Sequence, residues 1–343
     1  MAQKRIQTFD LLKGIAVILM IQVHIVELFA VQSFFDSSLG KLLIFLGGPP
    51  VAPVFLMAFG FFIGKSNKST LQLILRGFWI LIIGLLLNIA LNFNLIISVY
   101  QGKFNVNIWT YIFGVDILFN AGFVIIIMAF IKKYLKQNIL LLSVIVLISA
   151  FLGNFLLNYK FEEGTMQYFM SVLYGTSSWS YFPVFPWLSY SLSGYLFYTL
   201  YHKINFNFIN TLKVKIISGV LFILILVFTL KYAINLSSDL QNYYHHGIVF
   251  FLWVVVFACF YSFYINETEK IFGNTLTFRY IKWLGKNVTL VYIIHWVIIG
   301  NIATEIFKTV ASKYHLLFWF ISILALSSIV AFLLLQLRKK LRF

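Results

Sequence analysis

Residues 5–24 read Arg5-Ile6-Gln7-Thr8-Phe9-Asp10-Leu11-Leu12-Lys13-Gly14-Ile15-Ala16-Val17-Ile18-Leu19-Met20-Ile21-Gln22-Val23-His24. The apolar run is long enough to cross a bilayer as a helix, and it carries two ionisable groups eleven residues apart. Eleven residues are almost three helical turns, so Lys13 and His24 share nearly one face, roughly 16 Å apart along the axis. A helix entering the hydrocarbon near Leu11 holds Lys13 at one headgroup layer and carries His24 into the far half of a core about 30 Å thick. Ionisable residues at that depth are rare and mark functional sites by default. Glu27 follows His24 at i+3, where a carboxylate can fix the imidazole tautomer and stabilise the imidazolium, as a general base requires. His24 could equally bond a neighbouring helix while Glu27 faces the interface.

The rest of the chain repeats the first pattern. It is 61% hydrophobic and 10% charged over 343 residues, with a mean hydropathy of +0.93. A soluble domain cannot hide that much apolar surface, so lipid is the solvent. The spacing predicts an all-α polytopic integral membrane protein of ten transmembrane helices near 9–31, 42–63, 73–93, 112–131, 138–158, 183–202, 214–235, 247–266, 285–303 and 315–337, forming a single domain over 1–343. The first run contains His24 and Glu27 and precedes many further spans, so it reads as a retained helix, not a cleaved signal.

Charge gives an orientation. Of the 26 Lys and Arg, only Lys41, Lys103, Lys160, Lys231, Lys308 and Lys313 fall on the side opposite an inward-facing N-terminus. The excess of basic loops on the other side puts both termini in the cytoplasm. The net charge of +16 belongs to these short loops, and no folded basic face is left for nucleic acid. Cys259 is the sole cysteine, which rules out an intramolecular disulfide and a cysteine-based metal site. Asp10, His24, Glu27, Asp116 and His295 could supply ligands, but no local pair has metal-ligand spacing except the adjacent His245 and His246, expected at the surface where helix eight starts. No metal is expected. Walker, GxGxxG and GxSxG signatures are missing from the sequence, which removes nucleotide hydrolysis and soluble-hydrolase chemistry.

Two further ionisable groups fall within spans: Asp116, entering helix four, and His295, midway along helix nine. Each could make a packing hydrogen bond or take part in chemistry. On residue type alone, a proton-coupled transporter using His24, Glu27, Asp116 and His295 as a relay and a membrane enzyme both fit. A non-catalytic protein binding a lipid-linked glycan is a third reading. The loops 94–111 and 159–182 are rich in Asn, Tyr, Trp and Ser, which suits contact with sugars or headgroups as well as an aromatic belt.

The opening Arg5…Phe9-Asp10-Leu11-Leu12-Lys13-Gly14-Ile15-Ala16…Met20…His24 resembles the first helix of the acyltransferase-three superfamily of transmembrane acyltransferases. Its nearest branch is that of bacterial heparan-α-glucosaminide N-acetyltransferase-like proteins. Further stretches match in order: Ala52-Pro53-Val54-Phe55-Leu56…Gly60, then Arg76, then Phe182-Pro183-Val184-Phe185-Pro186-Trp187-Leu188…Gly194, then Leu284-Gly285-Lys286-Asn287…Leu290-Val291-Tyr292…His295. The basic-X10-His pattern is the specific part; the others are short and apolar. The resemblance implies transfer of an acyl group, usually acetyl, from cytosolic acyl-CoA to a hydroxyl or amine of an extracytoplasmic glycan or envelope molecule. The expected setting is the cytoplasmic (inner) membrane of a bacterium, and a homodimer fits the same scheme. It makes His24 the general base or a transient acyl carrier. It puts Lys13 at the basic position, where arginine is commoner and would grip a phosphate in a bidentate fork that lysine lacks. Lys68 and Arg76 join Lys13 as candidates for the phosphates of coenzyme A. The lysosomal branch carries asparagine at the His24 position and a later loop histidine, and residues 25–50 hold no histidine. That branch's catalytic assignment therefore does not transfer.

Overall fold

The computed structural model describes residues 6–159, 164–175, 177–204 and 210–341, which leaves Lys4, Arg5, Lys160 and Arg342 of the charge count outside the described residues. The described chain is helical, with one isolated bridge between Ala30 and Val310. In order the helices are α1 (Gln7–Phe29), α2 (Gln32–Phe35), α3 (Ser38–Gly47), α4 (Ala52–Lys65), α5 (Thr70–Leu91), α6 (Phe93–Tyr100), α7 (Ile108–Ile112), α8 (Ile117–Leu135) and α9 (Ile139–Phe155). There follow α10 (Thr165–Leu173), α11 (Val184–Lys203), α12 (Leu212–Ser238), α13 (Leu240–Tyr244), α14 (Ile248–Phe272), α15 (Leu276–Lys286), α16 (Val288–Ile306) and α17 (Lys313–Lys340).

Among the described residues nine helical stretches are long and apolar enough to cross a membrane, so the chain is an all-α, multi-pass integral membrane protein. The tenth expected span, 183–202, does form a helix, α11, but falls short of the others in apolarity. Its Ser189, Ser191, Ser193 and Thr199 are buried and each hydroxyl donates to a backbone carbonyl: Pro186, Leu56, Ser189 and Tyr195. A helix sheathed by other helices can be polar, because its hydroxyls bond to protein rather than face lipid.

Three further expectations are adjusted. The span 42–63 is interrupted between α3 and α4, where Gly47-Gly48-Pro49-Pro50 supplies two residues without an N–H to donate. The span expected from 112 starts at Ile117, because Asp116 caps it. The span expected from 285 begins at Val288, preceded by α15, whose charged and apolar residues segregate onto separate faces.

The chain falls into two compact units interleaved in sequence. One comprises Met1–Val51, Leu87–Ile108 and Tyr261–Phe343; the other comprises Ala52–Leu86 and Trp109–Phe260. Within the first, α1 lies on α15 with no room for a side chain between them. A Cβ on Gly14 would stand 2.7 Å from the carbonyl carbon of Ile281, and one on Gly285 would stand 2.7 Å from that of Asp10. Such glycine-mediated backbone contact is how membrane helices gain close packing without a hydrophobic drive. The other end of α1 is tied by backbone bonds: Lys308 N–H donates to Leu28 O at 2.9 Å, Val310 N–H to Phe29 O at 2.8 Å, and Val31 N–H to Val310 O at 3.1 Å. With both ends held, the stretch around His24 has a fixed setting against α16. The end of α5 is bound to α16 through Asn301, which donates to Ala90 O and accepts from Asn94 N–H, both at 2.8 Å.

The second unit repeats the glycine device. A Cβ on Gly60 of α4 would lie 2.6 Å from the carbonyl carbon of Ser191, and one on Gly194 of α11 would lie 2.7 Å from that of Met57. Gly153 of α9 faces the Pro186 ring in the same way, so α11 is clasped between α4 and α9.

Candidate active site

Local sequence explains how α1 presents its two ionisable groups. Asp10 lies in the first turn, where a carboxylate suits the helix dipole, and it is buried at 3% exposure. Its Oδ1 stands 3.3 Å from Lys13 Nζ one turn later. Lys13 therefore does not wait as a free ammonium: a carboxylate already holds it, and an arriving phosphate must share it or displace Asp10. Beside this pair, Lys282 of α15 donates to Gln7 Oε1 at 2.7 Å and Glu269 Oε1 at 3.1 Å, and Thr8 donates to Asn266 Oδ1 at 2.8 Å.

Three turns along, His24 meets α16. Its Nδ1 lies 3.6 Å from Glu27 Oε2, within ion-pair reach but beyond hydrogen-bond length. Nδ1 is buried and has no hydrogen-bond partner among the described residues, while the His24 side chain as a whole keeps 12% exposure. The accessible part of the ring is thus not Nδ1. Next to it, His295 is fully buried with its ring stacked on His24 at 5.8 Å and 14°, and the Trp296 ring lies 3.9 Å from His24 at 36°. His295 Nδ1 is 3.0 Å from Val291 O, an acceptor only, so Nδ1 carries the proton and Nε2 is left with a lone pair. That Nε2 and Trp296 Nε1 are also buried without a hydrogen-bond partner among the described residues.

Three polar nitrogens on three adjoining rings are therefore orphaned together. Each such group costs about 1–3 kcal/mol when buried unpaired, so a cluster of them needs a use or a ligand. The arrangement can take up a proton at an imidazole backed by a carboxylate and can offer hydrogen bonds to a group brought among the rings.

The structure thus brings His24, Glu27 and His295 together in one unit, with Lys13 on the same helix. Asp116, Lys68 and Arg76 belong to the other unit. Asp116 Oδ1 accepts from Phe119 N–H at 2.7 Å and starts α8. Arg76 is exposed on α5, its guanidinium 6.0 Å over the Phe59 ring, and Lys68 is exposed in the turn before α5. Among the described residues, no group of three His, Cys, Asp or Glu is placed to hold a metal ion.

His245 and His246 are corrected from surface to interior, at 4% and 2% exposure. The loop before α14 turns inward there. His246 Nδ1–H donates to Tyr243 O at 2.7 Å, and its Nε2 accepts from the Tyr190 hydroxyl at 2.8 Å. His245 Nδ1 has no hydrogen-bond partner among the described residues. Burial pulls both imidazoles down from their ordinary value to about 4, so both are neutral at physiological pH. Two site features escaped the sequence. Asp10 is the partner of Lys13, signalled only by its i,i+3 spacing, and Trp296 is indistinguishable in sequence from a lipid-facing tryptophan.

No curated protein and no solved structure matches the chain. A family model described as an acyltransferase domain, Acyl_transf_3, matches residues 6–337, a range that takes in both units, the Lys13–His24 helix and the His295–Trp296 helix. Nearly the whole chain is covered, and the chain belongs to the acyltransferase-three family of membrane acyltransferases.

Proposed function

We propose that this transferase moves an acyl group, acetyl in the simplest case, from cytosolic acyl-CoA to a hydroxyl or amine of an extracytoplasmic glycan or envelope molecule at the inner membrane of a bacterium. The observation that carries the reading is the His24 cluster: an imidazole within ion-pair reach of Glu27 and packed against His295 and Trp296 in a membrane-crossing helix. A carboxylate near Nδ1 favours the proton on that nitrogen and leaves Nε2 to take the acceptor's proton. His24 is the general base, Glu27 its orienting partner, and His295 a buried acceptor beside it.

Lys13 at the cytoplasmic end of α1 supplies charge for the donor's phosphates, and Lys68 and Arg76 are further candidates for the same task. The thioester end then runs along the Lys13–His24 face. At the opposite end of α1, an open groove lined by Thr309, Val310, Ser312, His315, Phe318 and Trp319 combines aromatic faces with hydroxyl and imidazole groups, a lining suited to a sugar. The two termini face the cytoplasm on the charge count. Asp116 caps α8, a structural role that accounts for a carboxylate at that position without a proton relay. The lysosomal branch's catalytic assignment is not carried over, because His24 stands where that branch has asparagine and residues 25–50 hold no histidine.

The test is transfer of labelled acetyl from acetyl-CoA to envelope acceptors by the purified protein in liposomes. Loss of a general base lowers rate by about 10²–10⁴, so His24→Ala is expected to fall by that factor while coenzyme A still co-purifies and is seen by mass spectrometry. A wild-type protein that neither binds coenzyme A nor transfers label refutes the reading.

A further inference from the structure

We propose that the Trp296 indole N–H is a catalytic hydrogen-bond donor, placed to receive the oxyanion that forms on the acyl carbonyl beside His24. The inference rests on the acyl-transfer reading above and adds a residue that neither the family match nor the sequence motifs assign.

The three orphaned nitrogens differ in kind. His295 spends its one N–H on Val291 O, so its Nε2 can only accept. The orphaned nitrogen of His24 is Nδ1, which faces the Glu27 carboxylate and carries the proton, so that Nε2 of the same ring is the acceptor. Trp296 Nε1 carries a hydrogen and has no lone pair to offer, so it can only donate. With His24 Nδ1–H turned to the Glu27 carboxylate and His295 Nδ1–H spent on Val291 O, the indole N–H is the donor left for developing negative charge.

Acyl transfer needs such a source next to the base. The acceptor O–H gives its proton to His24 Nε2 as the new C–O bond forms, and the carbonyl π electrons move onto oxygen. The tetrahedral oxyanion then collapses, the C–S bond breaks, and the departing thiolate takes the proton back from His24. The alkoxide-like oxygen exists only between those two steps. A donor fixed beforehand in a water-poor setting stabilises it without reorganisation, and one such donor is worth about 10²–10³ in rate. Of the two rings beside the candidate base, that of Trp296 is the nearer, its centroid 3.9 Å from that of His24 against 5.8 Å for His295. Trp296 also meets the electronic demand, because Nε1–H is unspent on any described residue. Tryptophan at a membrane interface normally satisfies its N–H with water or a headgroup, whereas in the half-buried Trp296 the N–H itself is buried, beside a candidate base.

The experiment compares wild type with Trp296→Phe and with the isostere β-(3-benzothienyl)alanine placed at 296 by nonsense suppression, which keeps the bicyclic shape and replaces N–H by sulfur. The readouts are kcat for acetyl transfer, coenzyme A affinity and thermal unfolding. The expected result is a fall in kcat of about 10²-fold or more for both, with coenzyme A affinity unchanged and the isostere as stable as wild type. If Trp296→Phe misfolds, the isostere alone carries the test. Retention of kcat within threefold by the isostere overturns the proposal while leaving His24 as base intact. Absence of transfer by wild type overturns the function itself, so the two failures are distinct.

Discussion

Replacing Gly285 by alanine tests the packing that fixes the Lys13 end of α1. A Cβ there would lie 2.7 Å from the Asp10 carbonyl carbon and 2.8 Å from Gly14 N, with the carbonyl oxygen closer still; ordinary contact begins at 3.4 Å. The helices α1 and α15 must therefore part by at least 0.7 Å. All the clashing atoms are backbone, so no rotamer change relieves them. Overpacking of this sort costs about 1–3 kcal/mol, and the top of that range applies here. Against it, alanine improves helix propensity over glycine by about 1 kcal/mol. The net expectation is a loss of about 2 kcal/mol, read as a fall of several degrees in thermal unfolding of the detergent-solubilised protein. Gly247→Ala is the control, since a Cβ there meets nothing nearer than 3.6 Å. Gly14→Ala should cost a similar amount, but the double variant should cost less than the two together, because the first separation already opens the space for the second methyl. A Gly285→Ala protein as stable as wild type, or more stable by the propensity gain, would falsify the close approach.

Two further outcomes follow from the second unit. His245 and His246 have native values near 4 against 6.5 when unfolded, so between those limits the unfolded chain binds more protons and stability falls as pH drops. At pH 5 each histidine should have withdrawn about 2 kcal/mol relative to pH 7.5, measured by unfolding temperature, and a His246→Gln variant should show a shallower pH profile. An identical profile in that variant refutes the role of burial. Asp116→Ala should cost about 0.5–2 kcal/mol through loss of the α8 cap, and Asp116→Asn should recover most of it with acyl transfer unchanged. A large loss of kcat in Asp116→Asn would instead point to proton chemistry there.

The fold class was legible in composition and spacing, because lipid as solvent forces backbone groups to pair within each helix and leaves long apolar runs as the readable trace. Departures came where a local feature outweighed hydropathy. Two prolines broke the span at 48–51, a carboxylate cap moved the start of α8 to 117, and serines bonding to carbonyls made α11 polar. The His24–Glu27 pair was legible because it is one helical turn long. His295 was visible as an ionisable group in a span, but its pairing with His24 was not, because 271 residues separate them in the chain.

By itself, then, the sequence determined the membrane-crossing helices, the Lys13–His24 stripe and the candidate base with its carboxylate, all of which depend on spacings within one helix. Tertiary structure decided the partners. Glycines at 14 and 285 let α1 and α15 touch, backbone bonds at 28–31 hold the other end, and α16 thereby lays His295 and Trp296 on His24. The physical reason is that contacts between helices depend on which small residues meet across a gap, and a periodicity within one helix carries no record of the residue that faces it.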